Sequence, residues 1–145
     1  MELQSNTAHV KGLVDVISTL ENFEEAGAAL LELESASPSL AKKLAHAIFN
    51  EKKGDVYLQA LAFEVFYSLA PLEAVEYIEQ NALMVDRYLL QSMLSLVAED
   101  VGRLETYGHV KKAVLSLKDA LAARADQEGN EKFAETVDWF RRTYP

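Results

Sequence analysis

Residues 55–69 read DVYLQALAFEVFYSL and residues 86–100 read DRYLLQSMLSLVAED, so the phrase Asp-x-Tyr-Leu recurs 31 positions on. Asp is a favoured N-cap residue because its carboxylate accepts hydrogen bonds from backbone N–H groups that a first helical turn leaves without partners. Behind Asp55, the residues Val56, Leu58, Leu61, Ala62, Val65, Phe66 and Leu69 leave little of a helix circumference polar, which predicts a central helix. Behind Asp86, the residues Leu89, Met93, Leu94, Leu96 and Val97 predict a second largely buried helix, ending near Asp100 and Gly102. Asp55 and Asp86 are read as caps, and the pairs Tyr57 with Tyr88 and Leu58 with Leu89 as packing residues at equivalent positions of two helix–turn–helix units.

The flanking sequence divides in the same way. Val10, Leu13, Val14, Ile17 and Leu20 lie at helical spacing within 7–20. Asn22 with Glu25 is a near-match to a capping box and opens a stripe of Ala26, Ala29, Leu30 and Leu33. Ser37 and Pro38 start a helix through Leu40, Ala41, Leu44, Ala45 and Ile48 that NEKKGD stops near Asn50. Pro71 breaks the chain and restarts it through Leu72, Val75, Ile78 and Ala82, since proline at a first helical position loses no needed N–H. A helix over 106–124 follows, with Val110, Ala113, Val114, Leu117 and Leu121 on one face, and ADQEGNE (125–131) reads as a loop. A last helix over 131–144 buries Phe133, Val137 and Phe140, with Trp139 partly covering its end.

Pro38 and Pro71 stand 33 residues apart, and an interval of 31 to 33 is that of helical hairpins that must stack to bury their apolar sides. The expected architecture is one all-α domain over 1–145, with about seven helices, units at about 22–50, 55–83 and 86–124, and a capping helix at about 131–144. From 22 to 124 the chain resembles HEAT-like α-solenoids, which implies antiparallel hairpins stacked as a short right-handed array. An irregular helical bundle is the alternative. The tetratricopeptide and ankyrin signatures are absent.

Composition agrees with a helical core: 50% of the 145 residues are hydrophobic, with only six glycines and three prolines. Without cysteine there is no disulfide framework, thiolate nucleophile or thiolate metal site. MELQSNTAHV lacks a basic stretch followed by an apolar run, and no segment approaches the roughly 18 apolar residues that span a bilayer. A cytoplasmic protein with no membrane contact is expected. The net charge of −9 opposes binding to phosphate backbones, so no direct nucleic-acid ligand is expected either.

The carboxylates do not form a recognisable catalytic set. None of His9, His46 or His109 has a Glu three residues before it, as di-iron bundles require, and Glu105 before His109 is an isolated i,i+4 pair. There is no Gly-x-Ser-x-Gly, P-loop or dinucleotide-type glycine cluster. Neither an enzyme, a metal site nor a cofactor is expected.

One polar constellation remains. In PLEAVEYIEQNA (71–82), Glu73, Glu76 and Tyr77 lie away from the Leu72, Val75 and Ile78 face. Corresponding positions carry Lys42, Lys43 and His46 after Pro38, and Lys111, Lys112 and Lys118 after 106, which reads as negative charge concentrated mid-chain. A partner surface extended by Glu79, Asp86, Glu99, Asp100, Glu105 and Tyr107 is the candidate site, set against solvated carboxylates and a packed tyrosine. Carboxylates steer a basic partner, and tyrosine supplies contact area at low entropic cost.

In size, repeat phrase and acidic strip the chain is similar to immunity proteins of bacterial toxin systems, including contact-dependent growth inhibition. That resemblance implies binding and neutralising a cognate toxin domain, often a basic nuclease; the apolar ends of a short array leave both a monomer and a homodimer open. The alternative is a scaffold or adaptor that holds a protein or peptide without inhibiting it.

Overall fold

A computed structural model describes the backbone of residues 2–100 and 108–143, and side chains over 7–100 and 112–143. Among the described residues every regular element is an α-helix: α1 (Glu2–Thr19), α2 (Phe23–Ala36), α3 (Pro38–Asn50), α4 (Val56–Leu69), α5 (Pro71–Asn81), α6 (Arg87–Glu99), α7 (Gly108–Glu128) and α8 (Glu131–Thr143). The all-α expectation holds, with eight helices here rather than about seven. The chain divides into two compact units, Met1–Ala70 and Pro71–Pro145.

The caps form as the sequence predicts. Asp55 Oδ1 accepts from Leu58 N at 2.8 Å, Asn22 Oδ1 from Glu25 N at 3.0 Å, and Asp86 Oδ1 from Tyr88 N at 2.9 Å and Leu89 N at 3.3 Å. Leu58 and Leu89 are buried, but Tyr57 is 82% and Tyr88 61% exposed, so the two tyrosines are not the packing residues that the repeat suggested.

In the first unit α1 packs on α2, and α2, α3 and α4 pack on one another. Gly27 lets α2 approach closely, since a Cβ there would stand 2.9 Å from Leu61 Cδ2. Between α3 and α4, Phe49 meets Phe63 at 5.4 Å and Phe66 at 5.3 Å, both edge to face. Such pairs add about 0.5–1.5 kcal/mol beyond their buried area. His46 was expected among solvent positions; it is instead half-buried, with its ring 5.4 Å from Phe49 and 5.5 Å from Phe66. Lys52, at φ +56°, ends α3 in a Schellman-type turn closed by Lys53 N donating to Ile48 O at 2.8 Å.

In the second unit α5 packs chiefly on α7, α7 also on α8, α8 on α6, and α6 lightly on α5, a closed circuit of four helices. Its core holds Val75, Ile78, Leu90, Leu94, Leu117, Phe133 and Phe140. An 86–124 hairpin would have made α6 and α7 principal partners. Among the described residues α7 packs chiefly on α5, and α6 chiefly on α8. The expected 55–83 interval straddles the boundary: α4 packs on α2 and α3, while α5 packs on α7 and α6.

The expected loop over 125–131 is mostly helix. α7 continues to Glu128, Gly129 takes φ +62°, and Asn130 Oδ1 already caps α8 by accepting from Phe133 N at 3.0 Å.

Candidate acidic surface on the second unit

The inner face of α5 explains why its outer face is acidic. Ala74, Val75 and Ile78 are fully buried, so the three- and four-residue spacing turns Glu73 and Glu76 to solvent. Glu73 lies in the first turn, where the helix dipole favours a negative charge. Tyr77 is half-buried, and burial pushes its phenol above the usual 10.0. Its backbone carbonyl accepts from Asn81 Nδ2 at 2.9 Å.

The remaining predicted residues have more varied settings. Glu79 is half-buried and accepts from Ser116 Oγ at 3.0 Å, which links α5 to α7. Asp86 is exposed but serves as the cap of α6. Glu99 is exposed in the last turn of α6, and half-buried Asp100 is its C-cap, with its N–H donating to Val97 O at 3.2 Å. Negative charge there opposes the helix dipole and adds nothing to helix stability. Glu105 and Tyr107 lie outside the described residues, as do the side chains of His109 and Lys111. Glu73, Glu76 and Tyr77 thus share one helix, while Glu79 and Asp86 also have structural duties.

Acidity is also less local than the lysine pattern suggested. Residues 1–70 hold ten acidic and five basic side chains, a net −5, and residues 71–145 hold thirteen and nine, a net −4. No basic residue lies between Lys11 and Lys42, where Glu21, Glu24, Glu25 and Glu32 are exposed on or beside α2.

A polar cluster behind the turn after α5 was missed by sequence reasoning. Arg124, only 7% exposed, donates through Nη1 to Ala82 O at 2.8 Å and through Nε to Glu128 Oε2 at 3.3 Å. Glu128 also pairs with Arg87 at 3.4 Å, and Arg87 lies over the Tyr88 ring at 4.9 Å while donating to its hydroxyl at 3.1 Å. The i,i+4 spacing of Arg124 and Glu128 was the one available signal, but ADQEGNE read as a loop. Beside this cluster Leu83 and Met84 are 50% and 75% exposed.

Among the described residues no three His, Asp or Glu side chains come together to hold a metal ion, and no helix is long and apolar enough to cross a membrane. Comparison with protein families, curated proteins and solved structures returned no match.

Proposed function

We propose that this protein binds a basic protein partner through the outer face of α5 and acts as an immunity protein that neutralises a toxin domain. The observation that supports this reading is the division of α5: one side is fully buried, and the other offers Glu73 and Glu76 with half-buried Tyr77 at their edge. Carboxylates at the rim of an interface chiefly raise association rate and specificity, and a chain of net charge −9 attracts a basic domain from beyond contact distance. A nuclease cleft that accepts phosphates is complementary to such a surface. The immunity role itself comes from the resemblance in size, repeat phrase and acidic strip.

The test is a pull-down with the tagged protein at low and high salt, with each captured protein then expressed alone and together with this chain. A single basic partner, released by salt and toxic unless co-expressed, is the expected outcome. Combined Glu73→Lys and Glu76→Lys should weaken that complex by roughly tenfold or more, mostly through a slower association rate. Several non-toxic partners would favour an adaptor, and unchanged affinity in the double variant would remove the α5 face from the interface.

A further inference from the structure

We infer that the turn following α5 is the apolar anchor of the same interface, and that the partner presents an apolar cleft rimmed by basic residues. This rests on the acidic-surface reading above and adds where the affinity is held. Leu83, Met84 and Tyr88 expose large apolar surface within six residues of chain, whereas a soluble surface ordinarily scatters such side chains singly. Their backbone is held from below. Met84 N and Val85 N both donate to Asn81 O, at 2.9 and 3.0 Å, and Ala82 and Val85 are buried. The guanidinium of Arg124 fixes the Ala82 carbonyl. A turn ordered before binding loses little entropy on docking, and methionine adapts its shape to the cleft it enters.

Charge identifies the occupant. The Met84 and Val85 N–H groups tie the turn to Asn81 at the end of α5, the helix that carries Glu73 and Glu76. On the other side stands the exposed carboxylate of Asp86. Arg87, the cation of the patch among the described residues, is compensated by Glu128 and lies over Tyr88. Apolar side chains flanked by carboxylates suit a basic rim around an apolar cleft. A second copy would bring like charges together, and an anionic membrane would be repelled.

The probe is a short amphipathic helical peptide of Lys and Leu, titrated into the isotope-labelled full chain. Its controls are a Lys/Ser peptide of equal charge and a Glu/Leu peptide of equal apolarity. The expected result is preferential binding of the Lys/Leu peptide, amide shifts concentrated over 76–88, and roughly tenfold weaker binding in Leu83→Ser combined with Met84→Ser. Leu31→Ser, which removes an equally exposed leucine beside the carboxylates of α2, should change nothing. If the Leu83/Met84 variant binds like the parent while Glu73→Gln with Glu76→Gln weakens binding, the anchor is overturned and the acidic surface survives. If the Glu/Leu peptide binds as well as the Lys/Leu peptide, the basic partner is overturned. Self-association in sedimentation that is abolished by Leu83→Ser with Met84→Ser would name a second copy as the occupant and overturn the proposal.

Discussion

Replacing Arg124 by Met tests whether the buried guanidinium holds the turn after α5. The methylene stem survives, and with it most of the apolar contact near the Phe133 ring, over which the guanidinium lies at 5.9 Å. What disappears is the 2.8 Å bond to Ala82 O, in a residue only 1% exposed, together with the contacts to Glu128. A buried hydrogen bond from a charged donor is worth about 1.5–3 kcal/mol. The Glu128 pairing adds less than about 1 kcal/mol, because that carboxylate is partly solvated and keeps Arg87. The expected loss is about 2–3 kcal/mol, which lowers Tm by about 6–12 °C in a chain of this size. Arg124→Lys keeps the charge but loses the fork and should fall between the two proteins. Calorimetry and urea titration followed by circular dichroism measure both, with an unchanged urea slope showing that the denatured state is the same. A Tm for Arg124→Met within about 1 °C of the parent would refute the reasoning, because it would mean that Ala82 O finds another donor at no cost.

The repeated phrase separates into caps and exposed rings: Asp55→Ala and Asp86→Ala should each cost about 1 kcal/mol in chemical denaturation, whereas Tyr57→Ala should stay within about 0.5 kcal/mol. Glycine substitutions should differ in sign. Gly54→Ala forces φ +71° on alanine and sets its Cβ 2.7 Å from Leu58 Cδ2, so it destabilises by more than about 1 kcal/mol, while Gly12→Ala, in α1 with open space around it, stabilises by about 0.5–1 kcal/mol. At alkaline pH, Tyr77 is the group to follow. Its folded pKa lies above the unfolded 10.0, so its contribution is fully present below about pH 10 and is lost as pH rises through the folded value. Tyr77→Phe should flatten that part of the stability profile, and phenolate absorbance should show one tyrosine titrating late.

Much of this fold was legible because it is written in local rules. Asn22, Asp55 and Asp86 accept from backbone N–H groups as their positions before apolar runs required, and Pro38 and Pro71 stand at helix starts. Apolar spacing also marked the inward side of α5, which is why Glu73 and Glu76 could be placed on its outside. Partner choice among helices was not legible, because a stripe such as Val114, Leu117 and Leu121 states that a face is buried without stating against what. Among the described residues α7 packs on α5, a pairing that no stripe announces. Tyr57 and Tyr88 misled for a related reason. A large side chain two residues after a cap can point inward or outward, and only the neighbouring helices decide. Arg124 was hidden because burying a guanidinium requires Ala82 O and Glu128 to converge on it, and Ala82 lies 42 residues away.

The boundary at Ala70–Pro71 has a consequence for how the chain acquires its shape during synthesis. The principal partners of α1 through α4 all precede residue 71, so the first unit can close its core on the emerging chain before α7 and α8 have left the ribosome. The second unit has no such order. α5 must wait for α7, and α6 for α8, so the acidic face and the turn behind it are completed only after both later helices have left the ribosome.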